Sequence, residues 1–398
     1  MKKNILFLGL AAMSLFTVAS CSSDDDLQAG MSIGAGDNVV TLALNPGGSG
    51  MAVRGARPVT SSEAANNVDK VVVKLYRNDG GSYSLVNETE NGQTIYEQDV
   101  TWTKGTKTAN IPLKHLAQGS YKLVARGYNS TPSTAVSFGE GSTTGVSSIN
   151  WTATQSTGDI EEVFAGELDL TVDAEGKVTA DPSKTLTMNR RVAGFLAYFK
   201  NIPTQVNGKV VKSVRVVASN KATKYDIIGG TLASYTANPS SATVNGLDAP
   251  GVAVENVLCE FQMSDATNWN SGAPTDDSYT FTTAANKVEN SVLDGGFIVP
   301  FGKVSGKNTL RVELVGDGVG QAGVLKTFQV KMPTSYETSY DIYVNHFYSI
   351  GHKTSSSGTE GPDPETPDPD KPVDLGSEEE IILSLSDAWD VVNDMVVD

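Results

Sequence analysis

The chain has 398 residues, with 46 acidic against 30 basic, for a formal net charge of −16. That length suits two domains with cores of their own, and the acidity excludes a binder of nucleic acid, whose affinity comes largely from Lys and Arg neutralising phosphates. With 39 Gly, 16 Pro and 19% charged residues the composition points away from a helical bundle, and 3 His and 2 Cys leave little for metal, acid–base or disulfide chemistry.

Lys2 and Lys3 precede an apolar run, Ile5 to Ala19, which ends in small residues before Cys21. The run is shorter than the ~20 apolar residues of a membrane-spanning helix, so residues 1–20 read as a secretory signal. Val18-Ala19-Ser20-Cys21 resembles the lipobox of bacterial lipoproteins, which implies that Cys21 becomes the lipidated first residue; an unmodified exported cysteine is the alternative. Ser22-Ser23-Asp24-Asp25-Asp26 resembles the acidic tag that sends Bacteroidetes lipoproteins to the outer surface, with a solvated charge run as the plain alternative. If Cys21 is lipidated, Cys259 has no partner in the chain and stability must come from core size.

Val39-Val40-Thr41-Leu42-Ala43-Leu44 alternates like a strand, and Asn45-Pro46-Gly47-Gly48-Ser49-Gly50 breaks it. Small residues around Arg54 and Arg57 then make a protease site. From Val68 the pattern is all-β. Lys70–Arg77 sets Val71, Val73 and Leu75 on one face, and Ser120–Tyr128 sets Tyr121, Leu123 and Ala125 on one face. The run from Leu116 to Ala125 resembles the turn–strand unit of transthyretin-like sandwiches. A second block opens near Leu186. Arg190–Phe199 is apolar on both faces, as a central strand is, and Asn201-Ile202-Pro203 ends it. Val210–Ser219, Leu310–Val315, Thr327–Met332 and Ser339–Ile350 supply further strands, and helices are expected to be short and few.

The C-terminal stretch differs. Ser355–Lys371 is Ser, Gly, Pro and Asp, and residues 355–380 read as an extended linker. Residues 381–398 return to strand character: Ile381, Leu383, Leu385, Trp389, Val391, Met395 and Val397 share one face. Three readings stand: a last strand of its own domain, a disordered tail, or a strand built for another molecule, which β-strand addition would seat on an open sheet edge. The acceptor is suggested at the other end. If the strand at 39–44 completes the first sandwich and a protease cuts after an arginine, its removal leaves a hydrophobic groove that the tail of a second copy fills. Donor and groove at opposite ends make a head-to-tail contact, which generates a filament.

The lipobox and acidic tag, the strand before Arg54, the Arg190–Pro203 strand, the segment Tyr340–Ile350 and the tail Asp387–Met395 together resemble the fimbrillins, the type V pilins of Bacteroidales. The resemblance covers nearly the whole chain. It implies an all-β protein of two transthyretin-like β-sandwich domains in series with a C-terminal donor strand. The implied segments are a signal (1–20), a propeptide with a removable strand (21–54), sandwiches at 55–185 and 186–354, a linker (355–380) and the donor strand (381–398). It further implies export as an outer-membrane lipoprotein, trimming by an arginine-specific protease, and polymerisation with other copies and other fimbrial subunits, in support of adhesion and biofilm formation. Arg54–Gly55 is the preferred cut, because Pro58 after Arg57 obstructs most trypsin-like proteases. The complete donor favours a shaft or internal accessory subunit, with a tip or anchor adhesin as the alternative; a host or bacterial surface receptor is a further expected partner.

A glycan-binding surface lipoprotein is the rival from another class, with Trp102, Trp151 and Trp269 as a sugar platform. Nothing points to an enzyme: G-x-S-x-G, H-E-x-x-H and P-loop motifs are missing. His346 lies in an aromatic strand and His352 just after it, six apart with a Gly between, where a structural role outweighs a metal pair, and Asp363, Asp368, Asp370 and Asp374 read as a solvated linker ahead of a weak calcium site. No cofactor or metal is expected.

Overall fold

Runs of β-branched and aromatic residues, punctuated by Gly and Asn, make strands throughout the computed structural model of the protein. The structure describes residues 38–45, 68–86, 89–90, 93–94, 97–102, 108–114, 116–130, 136–141, 144–155, 162–219, 221–228, 241–243, 256–264, 288, 290–351 and 371–386.

The first strands are β1 (Val39–Asn45), β2 (Lys70–Asp79), β3 (Ser82–Leu85), β4 (Thr89–Glu90), β5 (Gln93–Thr94), β6 (Glu97–Thr101), β7 (Thr108–Pro112), β8 (Gly119–Tyr128), β9 (Val136–Glu140), β10 (Trp151–Gln155), β11 (Val163–Val172), β12 (Val178–Thr179) and β13 (Thr185–Arg190). Then come β14 (Ala193–Lys200), β15 (Gln205–Val206), β16 (Lys209–Val210), β17 (Ser213–Ala218), β18 (Lys221–Asp226), β19 (Ser241–Thr243), β20 (Val257–Gln262), β21 (Ser291–Ile298), β22 (Leu310–Val315), β23 (Val324–Lys331) and β24 (Phe347–Ile350). The last are β25 (Val373–Asp374), β26 (Ile381–Ile382) and β27 (Ser384–Ser386). Among the described residues the only helical turn is the 3-10 turn Gln321–Gly323, and no helix there is long and apolar enough to cross a membrane.

The turns follow the sequence chemistry. Gly80 and Gly81 take φ of 70° and 93° between β2 and β3, and Asn207 and Gly208 take 51° and 77° between β15 and β16. Two-residue hairpins of type I′ need positive φ at both positions, which Gly and Asn supply. Asn201, at φ 50°, ends β14.

The first sheet runs β3-β2-β8-β11-β13-β1-β7, with β6 also on β2 and β12 on β11. It wraps around one core that draws on nearly every strand: Val71, Val73 and Leu75 of β2, Leu123 and Ala125 of β8, Phe164 and Leu170 of β11, Leu186 and Met188 of β13. β13 therefore belongs to the first sandwich, although the sequence pattern opens a second block at Leu186. The chain crosses into the second block only at Arg191–Val192, where Arg191 N still donates to Val163 O at 2.7 Å.

The second sandwich faces the sheet β21-β14-β24-β27, with β25 on β14, against the sheet β20-β17-β22-β23-β26. Phe195, Ala197 and Phe199 of β14 meet Val214 and Val216 of β17, Val312 and Leu314 of β22, and Phe328 of β23 in one core. β14 is central as expected, with β21 antiparallel on one side and β24 parallel on the other. The expected strand Ser339–Ile350 is shorter. Asn345 at φ 54° breaks it, Tyr343 N turns aside to donate to Tyr348 Oη at 2.8 Å, and only Phe347–Ile350 joins the sheet.

A third sheet, β19-β18-β10-β9, takes strands from both blocks. Its Trp151, Ala153 and Tyr225 pack with Tyr76 and Val124 of the first sheet in a cluster continuous with the second sandwich's core. β2 thus buries both faces, and Lys74 on its second face is held by Glu140 Oε2 at 2.5 Å, with Arg126 on the other oxygen at 2.9 Å. Both sandwiches are joined through this shared core.

Candidate functional site

β1 carries no charged residue and alternates Val40, Leu42 and Leu44 with Val39, Thr41, Ala43 and Asn45. Placed between two strands it must turn one face inward. Val40 and Leu42 have no exposed surface and Leu44 has 6%. β13 runs parallel to it, pairing Leu42 with Leu186 and Leu44 with Met188. β7 runs antiparallel on the other side, pairing Val40 with Ile111 and Leu42 with Ala109. Burying these three side chains contributes roughly 1.5–3 kcal/mol each, so β1 is a large share of what closes the first core.

The leading end of β1 is clamped by Asn38. Its Nδ2 donates to Gly176 O at 3.0 Å, its Oδ1 accepts from Val178 N at 3.0 Å, and its carbonyl accepts from Leu113 N at 2.8 Å. Thr41 Oγ1, on the outer face, donates to Asn110 Oδ1 at 3.1 Å. Gly127 leaves room beneath Leu44: a Cβ there would lie 3.6 Å from Leu44 Cδ2 and 3.1 Å from Val68 Cγ1. Gly166 lets β11 approach β13 so closely that a Cβ would sit 2.2 Å from Thr187 O. Among the described residues β1 is the only strand that pairs with β7. Withdrawing β1 would therefore expose an apolar trough walled by β13 and release β7 from the sheet.

The chain continues from β1 through residues 46–67 to Val68. Arg54, Gly55, Arg57 and Pro58 fall in that stretch, outside the described residues, as does Cys21. Neither Asn38 nor the walls β7 and β13 stood out in the sequence. Asn38 has no local signature, and the sequence does not assign β13 to a block, because Leu186 and Met188 alternate as any half-buried strand does.

The structure describes the C-terminal tail as far as Ser386. Trp389, Val391, Met395 and Val397 lie outside the described residues. Ile381, Leu383 and Leu385 instead enter the second sandwich of their own chain. Ile381 pairs in parallel with Val330, Leu383 N donates to Lys331 O at 2.8 Å, and Leu385 pairs antiparallel with Tyr348. The expected linker 355–380 is likewise shorter. Val373 pairs with Phe199 and Leu375 N donates to Lys200 O at 3.1 Å, because Val373 and Leu375 supply apolar anchors that the Pro-Asp repeat before them lacks.

The described members of the rival sites are buried or engaged elsewhere. Trp102 is 3% exposed and Trp151 fully buried, its Nε1 donating to Tyr76 Oη at 3.0 Å, so neither forms a sugar platform; Trp269 lies outside the described residues. His346 sits with Nδ1 2.7 Å from Val344 O, between the rings of Tyr343 and Tyr348. Asp374 is already engaged: Oδ1 accepts from the backbone at Gly376 N (3.0 Å) and Ser377 N (3.2 Å), and Oδ2 accepts from the side chain at Asn201 Nδ2 (2.7 Å). His352, Asp363, Asp368 and Asp370 lie outside the described residues. Among the described residues no three His, Cys, Asp or Glu are grouped to hold a metal. Cys259 is buried and outside any disulfide.

The buried charges are structural in setting. Glu162 is pushed up by burial against the pull of Arg190, whose Nε donates to it at 3.0 Å where the two sandwiches meet. Burial also opposes ionisation of Glu313, but Arg311 and Arg215, at 2.5 and 2.7 Å, hold it below the ordinary carboxyl value.

No family model matches the chain, and no curated protein matches it. Solved structures do. A candidate cell adhesion protein from Parabacteroides distasonis ATCC 8503 shares 10% identity over 89% of this chain and 98% of its own, at a TM-score of 0.41. A candidate cell adhesion protein from Bacteroides eggerthii DSM 20697 shares 12% over 90% and 97%, at 0.35. The fimbrial anchor protein Mfa2 from Porphyromonas gingivalis shares 13% over 81% and 93%, at 0.31.

Proposed function

We propose that the chain is a non-enzymatic subunit of a surface fimbria, assembled head-to-tail by strand exchange between copies or with other fimbrial subunits. The observation that carries this reading is β1. It completes the first core from within a sheet, yet it is joined to the following strand through the stretch that holds Arg54 and Arg57. A cut at Arg54–Gly55, or at Arg57–Pro58, leaves β1 held by non-covalent contacts alone. Its loss frees the β13 edge and a trough with pockets for alternate apolar side chains, which is what β-strand addition requires, and β7 can pair again on the incoming strand. The same cut parts the subunit from an anchor at a lipidated Cys21, so release and activation come together. The tail supplies the incoming strand, with Trp389, Val391, Met395 and Val397 on one face. Each sandwich is transthyretin-like in this reading, and no cofactor takes part.

The test uses the full chain with an arginine-specific protease. Mature material is expected to begin at Gly55 (or Pro58), to lack β1, and to form ladders of copies on a denaturing gel run without heating. Trp389→Asp together with Val391→Asp is expected to leave a folded, trimmed monomer. Ladders at normal yield from that variant would sink the strand-exchange reading.

A further inference from the structure

Both sandwiches are completed by a segment of the same pattern, β1 from inside one sheet and the segment from Ile381 as an edge strand on each of two facing sheets. β1 reads Val40-x-Leu42-x-Leu44 and lies parallel to β13 and antiparallel to β7. The segment from Ile381 reads Ile381-x-Leu383-x-Leu385 and lies parallel to β23 and antiparallel to β24. Ile381 and Leu383 are 1% exposed, as deep as the inward residues of β1, and Leu385 packs against the same core. The second core is thus closed in cis by the chain's own C-terminal segment.

The segment is seated at more points than its ladder. Leu375 is 1% exposed at the end of β14. Gly376 backs onto the turn at Asn201, where a Cβ would lie 3.0 Å from Asn201 O. Gly351, at φ 82°, lets the strap cross: a Cβ there would lie 2.6 Å from Tyr198 O and 3.1 Å from Lys371 O. Lys331 Nζ meets Glu380 Oε1 at 2.8 Å at the outer rim.

We infer that Lys371–Ser386 is a closing strap that stays in its own subunit during assembly, and that only the residues after Ser386 enter the β1 seat of a second copy. This rests on the strand-exchange reading above and narrows it. Ile381, Leu383 and Leu385 leave the donating set, and the second sandwich is no acceptor, so each copy offers one seat and one donor. Pulling the strap out would break a ladder on each side and open a core before any new contact formed. The residues beyond it are long enough without that sacrifice. β1 spans 7 residues, and 12 residues follow Ser386, which at about 3.3 Å each reach roughly 40 Å against the ~23 Å of the seat.

A staple tests the inference. Ser349 and Ser384 are directly opposed on β24 and β27, a spacing that accepts a disulfide. The full chain carrying Ser349→Cys, Ser384→Cys and Cys259→Ala is oxidised, trimmed with the arginine-specific protease and followed by gel. Ladders are expected at the rate of the reduced sample, within about twofold. Ladders that appear only after reduction would overturn the inference, because the strap itself would then be leaving. A second measurement stands apart from assembly: amide exchange in β23 and β24 of chains ended at Ser386 and at Glu380. Protection kept at Ser386 and lost at Glu380 supports the strap; equal protection in both overturns it. If the parent chain forms no ladders while the exchange result holds, the strand-exchange reading falls and the strap remains.

Discussion

Leu42→Ala asks whether β1 opens as a unit of its own. Leu42 has no exposed surface and is flanked by Leu186 and Ala109. Truncating a buried leucine to alanine costs about 2–5 kcal/mol. If β1 detaches while the remaining strands hold, the whole loss falls on that local opening. At 1.4 kcal/mol per factor of ten, exchange of β1 amides rises from about 30-fold to several thousand-fold. β7 must follow, since its strand partner among the described residues is β1. The ladders β2–β8 and β8–β11 do not involve β1 and keep their protection. The assay is hydrogen exchange read by mass spectrometry on peptides covering residues 39–45, 108–113 and 119–128 of the uncut chain. Thr41→Ala, which removes only the outward bond to Asn110, is the control and changes exchange by less than about tenfold. Equal acceleration across β1, β8 and β11 in Leu42→Ala would refute the reasoning: β1 would then open only with the whole sandwich and could not be a removable piece.

Arg54→Ala with Arg57→Ala should leave the first sandwich closed and abolish ladders, while single variants retain them; mass spectrometry of the N-terminus decides which bond is cut, and a double variant that still assembles removes proteolysis from the scheme. Gly166→Ala places a Cβ 2.2 Å from Thr187 O, so β13 shifts and the β1 seat is distorted; the urea midpoint should fall by the equivalent of about 1–3 kcal/mol, and an unchanged midpoint would show that the sheet yields freely there. Glu313 is held below its ordinary 4.5 by two arginines. A depressed carboxyl contributes stability that is present above about 4.5 and lost as pH falls through the folded value. Glu313→Gln should cost about 3–5 kcal/mol near neutral pH and flatten the acid limb, read as urea midpoints at pH 7 and pH 3.5. Parallel acid limbs in both proteins would contradict the assignment.

The strands were legible where one physical demand governs them. Val71, Val73 and Leu75 alternate because one face of β2 meets the first core, and Ala193–Phe199 is apolar throughout because both faces are covered. Where a neighbour from far along the chain decides, the pattern was silent. Lys74 reads as solvent-facing until Glu140 and Arg126 are brought beside it. Leu186 and Met188 alternate equally well in either sandwich, and parallel pairing with β1 assigns them to the first. The strand expected over Ser339–Ile350 failed at Asn345, whose left-handed backbone outweighs the β propensity of Tyr340, Ile342 and Tyr343 around it. The β1 strand itself and its break at Asn45 were readable, but its position inside a sheet was not. Alternation states that one face is buried and never which strands lie beside it.

The tail illustrates that limit. From Glu360 to Asp398 the sequence has 13 acidic residues and one basic, leaving 33 against 29 in the rest of the chain. The I-x-L-x-L pattern at Ile381 looks the same whether its partner strands belong to its own subunit or to the next. What separates the two cases is context. Glu378, Glu379 and Glu380 stand exposed immediately before Ile381, with Lys326 and Lys331 of the same subunit beside them. The Lys331–Glu380 ion pair and the bond from Lys326 Nζ to the Glu378 carbonyl favour closure in cis. The walls of the β1 seat offer no such cations on their outer surface: β7 carries no charge, and the only charged residue of β13, Arg190, is fully buried against Glu162. In the proposed scheme an acidic strand entering that seat would be held mainly by backbone pairing and apolar pockets. In the proposed scheme the acidity would act elsewhere, by opposing tail–tail pairing before a seat opens.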